Sequence, residues 1–395
     1  MKILQINTTY NIGSTGRIVA GLERIIVDSG HHSYVAYGYG DLEDSHHYKI
    51  ISQIDSYKHN VLSRLSDSQG LHSNNKTKKL IGYIDALSPD IIHLHNLHGN
   101  YLNYSLLFEY LKSYEGKIVW TLHDCWSFTG HCAYFDLVSC DKWIDGCCDC
   151  PQRSAYPPAI IDSSSRNYSL KKSLFSAVSD KLTIVPVSFW LERLLRQSFL
   201  NQSKIKTIHN GIDLTKFRPT KNGGIKKRHY VLGVAFPWDR RKGLADFIKL
   251  RSILSNDIDI ILVGLSKKQA ANLPDGIHGL EKTNSIEDLC SLYSCALALI
   301  NPTYEDNYPT VNLEAMACGT PVITYNTGGS PESITAHTGK VVEKGDIICV
   351  NEAINDIVNN PRIFAPEDIV KCAHDTIDER LCFSQYVELY NSLQI

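Results

Sequence analysis

Three charged side chains stand in sequence contexts that would suit a phosphorylated, hydroxyl-rich ligand. Asp306 and Glu314 lie eight residues apart, and Lys242 ends a cationic turn before Gly243. One carboxylate would accept hydrogen bonds from a sugar ring and the other from a ribose, while the lysine would neutralise a diphosphate. An isolated pair of acids is more often a helix cap and a solvated residue, so the surrounding sequence decides the interpretation.

The residues around these acids predict a short helix between two strands. Pro309 suits the first helical turn, Gly319 suits a left-handed exit, and Pro321 prevents the helix from continuing. The N-terminus of such a helix presents unpaired backbone N–H groups and a partial positive charge, which together favour phosphate. The segment therefore predicts a diphosphate-binding turn flanked by two carboxylates.

The elements that must position these residues form two α/β halves. Short apolar runs alternate with helical or polar stretches, which is typical of doubly wound parallel sheets with crossover helices. The predicted strands are 2–8, 33–37, 91–95, 118–122, 183–187, 230–236, 259–264, 296–301 and 321–325. The predicted helices are 17–28, 244–254, 286–293, 310–318 and 379–393.

The pattern divides the chain into two domains. We expect a first domain over 1–210, a linker over 211–228 that contains Gly223 and Gly224, and a second domain over 229–378, with helix 379–393 returning to the first. Open parallel sheets bind ligands at the carboxyl ends of their strands, so two facing domains predict a cleft in which the ligand binds.

The first half adds a glycine loop and several histidines. Gly13 and Gly16 do not form the Gly-x-Gly-x-x-Gly pattern, which argues against a nicotinamide or flavin cofactor; a plain turn is the alternative. His123 ends a predicted strand, and His95 follows the neighbouring strand with His93 and His98 beside it. His93, His95 and His98 would either line the binding site of the acceptor substrate or bind no ligand.

Six of the twelve cysteines fall within twenty-six residues. Cys132, Cys140, Cys147 and Cys150 would supply four thiolates to a tetrahedral structural zinc, although only the last pair has a tight zinc-like spacing. Reduced thiols, or a disulfide in an oxidising compartment, are the alternatives.

Composition limits the classes of partner. The 395 residues are 43% hydrophobic and 21% charged, as in globular proteins of two or three domains. A formal net charge of −2 provides no field that would attract nucleic acid. The start MKILQINTTY predicts a strand rather than a signal peptide, and no apolar run is long enough for a membrane span, so we expect a cytoplasmic protein.

The motif from Glu305 to Val322 resembles the signature of retaining glycosyltransferase family 4, in which an acid, seven residues and a glutamate precede Ala-Met-Ala-Cys-Gly-Thr-Pro-Val. The resemblance implies the GT-B fold, two facing Rossmann-like domains around a cleft. It implies that Asp306 and Glu314 contact the donor sugar and the ribose. The chain departs from the family in having Asp306 where glutamate is usual, with Glu305 adjacent.

The resemblance also implies further site residues. Lys242 corresponds to a lysine that holds the donor phosphates in the family. The family also has a phosphate-binding arginine about five residues earlier, but this chain has Pro237 at that position, so Arg241 is predicted to take its place. The remaining implied donor-side residues are His123, Gly13, Gly16, Glu305, Asn307, Gly328 and Gly329, and those on the acceptor side are Arg17 and His95.

What the resemblance implies about activity is transfer of a sugar, with retention, from a nucleotide-diphosphate sugar and without a catalytic metal. The short motifs His-Asp-Cys-Trp and Cys-Pro-Gln are similar to those of enzymes that build bacterial O-antigen, lipopolysaccharide, capsule or exopolysaccharide. The expected acceptor is a lipid-linked saccharide, reached by peripheral contact with the inner face of the cytoplasmic membrane. A nucleotide-sugar epimerase and a catalytically inactive scaffold are the alternatives.

Overall fold

The computed structural model describes residues 1–220 and 229–394. The chain divides into two compact units, the first formed by Met1–His209 with the end of the chain from Phe383, the second by Asn210–Cys382. Residues 221–228 of the predicted linker, with Gly223 and Gly224, lie outside the described residues.

The first unit contains a seven-stranded parallel sheet in the order β3-β2-β1-β4-β5-β6-β7. Its strands are β1 (Lys2–Thr9), β2 (His32–Tyr39), β3 (His47–Lys49), β4 (Ile91–Leu94), β5 (Lys117–Leu122), β6 (Leu182–Pro186) and β7 (Lys204–Ile205). Its helices are α1 (Gly13–Asp28), α2 (Gln53–Ser66), α3 (Asn74–Leu87), α4 (Tyr104–Ser113), α5 (Ser164–Ser176) and α6 (Phe189–Leu195). The central strands are apolar on both faces because helices cover both sides of the sheet.

The second unit contains a six-stranded parallel sheet in the order β10-β9-β8-β11-β12-β13. Its strands are β8 (His229–Val234), β9 (Ile258–Val263), β10 (Ile277–Leu280), β11 (Ala298–Asn301), β12 (Val322–Tyr325) and β13 (Gly339–Val342). Its helices are α7 (Leu244–Arg251), α8 (Lys267–Ala270), α9 (Ile286–Cys295), α10 (Thr310–Ala317), α11 (Ile347–Asn359) and α12 (Pro366–Thr376). The prediction of two doubly wound α/β sheets is confirmed.

The final helix α13 (Glu379–Ser392) contributes polar contacts to the first unit. The Tyr390 hydroxyl lies 2.7 Å from Nδ1 of His93, and the Tyr386 hydroxyl lies 3.0 Å from Oγ1 of Thr121. These tyrosines connect the end of the chain to side chains of β4 and β5.

Two helix boundaries differ from the predictions by three or more residues, and the ends of α9, α10 and α13 differ by one or two. Helix α1 begins at Gly13 rather than at residue 17, because glycine costs only about 1 kcal/mol in a helix and residues 13–16 join the hydrogen-bonded turns. Helix α7 ends at Arg251, whose guanidinium donates to the carbonyl oxygens of Leu254 and Ser255 beyond the helix. The carbonyls at that end are satisfied by a side chain instead of by further helical turns.

None of the helices within residues 1–220 and 229–394 combines the length and the apolar character that crossing a bilayer requires.

Candidate active site

The predicted phosphate-binding residues follow two neighbouring strands of the second sheet. The loop after β8 carries Arg241 and Lys242, and the loop after β11 carries Glu305, Asp306 and Asn307. Strands β8 and β11 are adjacent, and the order of the sheet reverses between them. Such a switch point leaves a crevice at the carboxyl ends of the strands, where α/β sheets bind their ligands.

Lys242 and Asp306 form a largely buried ion pair between these loops. The ammonium lies 2.5 Å from Oδ2 of Asp306, and the two side chains are 15% and 11% exposed. Burial by itself would raise the pKa of Asp306, but the charges of Lys242 and Arg241 outweigh it and hold this pKa below its usual value. The ammonium has three N–H donors, so the ion pair leaves two for an additional anion.

Two glycines let the loops approach this pair closely. Gly243 has φ +74°, and a Cβ there would lie 2.2 Å from the Pro302 carbonyl oxygen. Gly328 has φ +56°, and a Cβ there would lie 1.8 Å from the Asp306 carbonyl oxygen, which also accepts from the Gly329 N–H at 3.3 Å. Gly328 and Gly329, which follow β12, therefore lie against the backbone of Asp306, which follows β11.

Arg241 is held against the backbone of the same loop. Its Nη1 donates to the Glu305 carbonyl oxygen at 3.1 Å, and its Nε lies 3.3 Å from Oδ2 of Asp239. Pro237, at the slot of the family's arginine, is exposed. Arg241 thus lies within the loop cluster around Asp306, in keeping with its predicted role as the substitute.

Glu314 occupies a different setting, in the middle of α10. Its side chain is buried, and Oε2 accepts a 3.0 Å hydrogen bond from the Tyr293 hydroxyl of α9. Pro309 is the residue that flanks α10 rather than a member of its first turn, and its side chain makes no capping hydrogen bond. The helix therefore begins four residues after Asp306, at the end of the loop that also holds Asn307.

In the first unit, His95 and His123 follow the neighbouring strands β4 and β5 and contact each other. Nδ1 of His95 lies 3.3 Å from Nε2 of His123, and Nε2 of His95 lies 3.3 Å from Oε1 of Gln5. The Gln5 amide nitrogen donates to the Val19 carbonyl oxygen, which leaves Oε1 as the acceptor for His95. His123 must then donate through Nε2, which leaves its Nδ1 as an acceptor.

Burial keeps these imidazoles neutral. Burial lowers the pKa of His123 to about 4, although Asp124 acts in the opposite direction. Burial lowers the pKa of His93 to about 3 and that of His95 well below its usual value. The group is therefore an uncharged hydrogen-bonding surface at neutral pH.

The pairing of His98 with Asp124 escaped the sequence analysis. Nε2 of His98 lies 2.8 Å from Oδ2 of Asp124, and its Nδ1 lies 3.1 Å from the Tyr156 hydroxyl. Burial by itself would raise the pKa of Asp124. The charge of His98 and the hydrogen bonds that Asp124 accepts from His98 and the Trp126 N–H outweigh this effect, so the pKa of Asp124 lies below its usual value. The signal was available, because an acid directly after β5 and a histidine in the loop after β4 must meet at one sheet edge.

The other predicted residues of the first unit lie in two places. Gly13, Gly16 and Arg17 form the first turns of α1, directly after β1, and Nε of Arg17 donates to the Gly13 carbonyl oxygen at 3.1 Å. The four predicted zinc ligands line one cavity between β5 and α5.

Family models match nearly the whole chain. The model of Glycosyltransferase Family 4 matches residues 15–216, and the model of Glycosyl transferases group 1 matches residues 220–374. Among curated proteins, the putative colanic acid biosynthesis glycosyl transferase WcaC of Escherichia coli K12 is 25% identical over 371 residues, which cover 88% of this chain and 89% of WcaC. The O-antigen chain mannosyltransferase RfbU of Salmonella typhimurium is 27% identical over 42% of this chain and 48% of RfbU.

Solved structures share the fold at low sequence identity. Sucrose-phosphate synthase from Thermosynechococcus elongatus has a TM-score of 0.72 at 17% identity and covers 99% of this chain and 98% of its own. Anabaena HepE, solved in complex with UDP, has a TM-score of 0.64 at 15% identity and covers 99% and 100%. WaaG, a glycosyltransferase involved in lipopolysaccharide biosynthesis, has a TM-score of 0.64 at 15% identity and covers 98% and 99%.

Proposed function

Because this chain belongs to glycosyltransferase family 4, we propose that it transfers a sugar from a nucleotide-diphosphate sugar to a saccharide acceptor with retention of anomeric configuration. The observation that carries the proposal is the buried Lys242–Asp306 pair at the switch point of the second sheet. A pair of this kind, pressed between glycine loops beside a helix N-terminus, suits a ligand that is both anionic and rich in hydroxyls.

The second unit supplies positive charge where the leaving group becomes negative. Transfer breaks the bond between the anomeric carbon and the diphosphate oxygen, and forms a bond from that carbon to the acceptor oxygen. Lys242, Arg241 and the N–H groups at the start of α10 would stabilise the departing diphosphate, a role that a divalent metal fills in other enzymes. We therefore propose catalysis without a metal.

The proton of the acceptor hydroxyl passes to an oxygen of the departing phosphate, on the face of the sugar that the diphosphate leaves. Asp306, held ionised by Lys242, would accept hydrogen bonds from the sugar hydroxyls, and Glu314 would accept from the ribose. Attack on the same face leaves the anomeric configuration unchanged, which is the outcome that the family resemblance implies.

The first unit would hold the sugar and the acceptor by neutral hydrogen bonds. His123 stays uncharged because burial lowers its pKa to about 4, and its Nδ1 is an acceptor when Nε2 donates to His95. A neutral acceptor suits a sugar hydroxyl better than it suits a phosphate. Arg17 and His95 complete the proposed acceptor side.

The names of three relatives favour the assembly of a bacterial surface polysaccharide, and we propose a lipid-linked acceptor for it. One relative is named for colanic acid, one for O-antigen, and CapM of Staphylococcus aureus, 25% identical over 42% of this chain, for capsular polysaccharide. A lipid-linked acceptor would require the enzyme to work against a membrane surface.

Helix α2 offers a surface that suits such contact, because its apolar side chains face outward. The exposed fractions are 70% for Ile54, 72% for Tyr57 and 49% for Leu65, with Val61 and Leu62 between them. The buried positions of the same helix are instead Ser56, His59 and Ser63. This reversal of the usual pattern supports the proposal that α2 contacts another surface.

The charges near this surface favour an anionic lipid membrane as its partner. Helices α2 and α3 together carry five basic and two acidic residues, although the whole chain has a net charge of −2. Ile160 is 65% exposed, and its N–H donates to the Arg64 carbonyl oxygen at the end of α2, so it extends the apolar surface. Apolar side chains flanked by lysine and arginine bind the interface of anionic bilayers.

Sedimentation with lipid vesicles tests the membrane contact. We expect binding to phosphatidylglycerol vesicles, weaker binding to phosphatidylcholine vesicles, and about a tenfold loss in a variant with Ile54→Ser, Tyr57→Ser and Leu65→Ser. Ile348→Ser in α11, which removes a side chain that is 67% exposed, serves as the matched control and should bind normally. If the triple variant bound the vesicles as well as the unmodified protein, α2 would not be the membrane-binding surface.

Incubation with a panel of nucleotide-diphosphate sugars and lipid-linked saccharides, in excess EDTA, tests the activity. We expect free nucleoside diphosphate and an extended acceptor whose new linkage has the configuration of the donor. An altered donor without acceptor consumption would identify an epimerase, and inactivity across the panel would favour a scaffold. Inverted stereochemistry would contradict retention, and a requirement for added metal would contradict the proposed role of Lys242.

A further inference from the structure

The segment between β5 and α5 gathers several sulfur atoms around one cavity. Cys132, Cys140, Cys147 and Cys150 line it together with Cys148 and His131. None of these cysteines is in a disulfide. Four cysteines around one small space match the Cys₄ donor set of structural zinc sites, and the aromatic rings of Phe135 and Trp143 line the same cavity.

Individual contacts show how the sulfurs are arranged. The thiols of Cys132 and Cys150 are hydrogen-bonded to each other. The Gly130 N–H donates to Sγ of Cys147 at 3.1 Å, so the backbone already stabilises electron density on that sulfur. A metal-bound thiolate is stabilised when a backbone N–H donates a hydrogen bond to its sulfur.

His131 provides an independent indication of a bound group at this cavity. Its ring is 3% exposed, and Nδ1 lies 2.5 Å from Oδ1 of Asp67, which is also buried. Nε2 is buried and has no hydrogen-bond partner among the described residues. Leaving a buried polar atom unsatisfied costs about 1–3 kcal/mol, so a group that pairs with Nε2 is expected here.

Positive charge lies behind the cysteines. The Lys171 ammonium is 1% exposed, donates to the carbonyl oxygens of Trp126 and Thr129 at 2.6 and 3.0 Å, and lies 3.4 Å from the Trp126 ring centroid. Burial lowers the pKa of Lys171 to about 7, and Cys147 is the strongest of the neighbouring groups that raise it. Four thiolates around Zn²⁺ carry a net charge of −2, which a buried ammonium would offset.

We propose that Cys132, Cys140, Cys147 and Cys150 bind a structural Zn²⁺ as four thiolates, beside the buried Nε2 of His131. As the side chains stand, no group of three Cys, His, Asp or Glu residues in the described part of the chain could hold a metal ion. Binding therefore requires the four sulfurs to converge on the cavity that they line, each releasing its proton. Between β5 and α5 the described regular structure is two short 3₁₀ turns, so the ion would hold this segment in place.

Metal analysis of the full-length protein, grown with zinc chloride and purified without immobilised metal, tests the site. We expect about one zinc per chain, lost in Cys140→Ser and in Cys147→Ser. Cys148→Ser, next to a proposed ligand, and Cys372→Ser on α12 are the matched controls and should keep their zinc. A zinc content of less than about a tenth per chain in the unmodified protein, or an equal loss in Cys148→Ser, would overturn the proposal.

X-ray absorption at the zinc edge identifies the ligands without relying on variants that could fail to fold. We expect four sulfur neighbours at about 2.3 Å. A nitrogen neighbour at about 2.0 Å would overturn the four-thiolate assignment and make His131 a ligand. Neither measurement depends on transferase activity, so the zinc proposal and the proposed function stand or fail separately.

Discussion

The two sheets share a topology but end in different chemistry. In the second unit, the loops after the switch-point strands hold the buried Lys242–Asp306 ion pair. In the first unit, the ends of the neighbouring strands β4 and β5 carry His95 and His123, which burial keeps neutral. The same fold therefore places a buried ion pair at the strand ends of one unit and a pair of neutral imidazoles at those of the other, because strand order fixes where a site lies and loop residues decide what it binds.

The largest effect expected from this difference is the loss of Lys242. Lys242→Ala should lower kcat/KM by about 10²–10³-fold, because it removes the charge that stabilises the departing diphosphate. It also leaves the buried carboxylate of Asp306 without the lysine with which it forms an ion pair. Steady-state kinetics with the identified donor measure this loss. Lys267→Ala, at an exposed position of α8 in the same unit, removes an equal charge and should retain full activity. Comparable losses in the two variants would show that the charge acts only at long range.

A moderate effect is expected from filling the space beside Asp306. Gly328→Ala would place a Cβ 1.8 Å from the Asp306 carbonyl oxygen and should lower the free energy of unfolding by about 1–3 kcal/mol while raising KM for the donor. Gly345→Ala is the matched control, since its φ is +83° but the nearest atom to a Cβ lies 3.4 Å away. Chemical denaturation of both variants should show the larger loss for Gly328→Ala. If Gly345→Ala lost as much stability, backbone strain rather than the close approach would explain the result.

The smallest effect concerns the neutral histidines and pH. His123 has a folded pKa of about 4 against about 6.5 in the unfolded chain, so the unfolded state binds more protons between these values. Its contribution to stability is present above about pH 6.5 and is lost as the pH falls toward 4. In His123→Gln, the decline of the unfolding free energy with falling pH should be shallower by up to about 1.4 kcal/mol per pH unit.

The control for this pH experiment is the exposed His337, where His337→Gln should leave the slope unchanged. An unchanged slope in His123→Gln would mean that His123 is not held neutral by burial, and the contrast between the units would lose its basis.

Much of the second site followed from the sequence. The motifs predicted that Lys242 and Asp306 bind one ligand, and the structure brings the two side chains into contact because β8 and β11 are adjacent. Gly319 follows α10 with φ +75°, as expected. The predicted roles of Lys242 and Asp306, and those of Glu314 and His123, remain proposals. The family itself, suspected from the motif at 305–322, is confirmed by the models that match the chain.

Other features were invisible to periodicity. The strands that the sequence analysis did not find, β3, β7, β10 and β13, all lie at sheet edges. Each is only partly buried and lacks the continuous apolar run by which the similarly short, fully buried β4, β11 and β12 were recognised. The apolar residues of α2 have helical spacing, but only the structure shows that this stripe faces outward and that Ser56 and His59 face inward. The hydrogen-bond chain from Gln5 through His95 to His123 joins residues more than ninety positions apart, which no local pattern reveals.

Calorimetric titration with a nucleoside diphosphate in excess EDTA tests most directly whether the second unit grips the diphosphate through protein charge. The account predicts that UDP or GDP binds the unmodified protein without a divalent metal, at least tenfold more weakly in Lys242→Ala and with unchanged affinity in His123→Gln. Equal affinities of the unmodified protein and Lys242→Ala, or binding that disappears with EDTA, would contradict it.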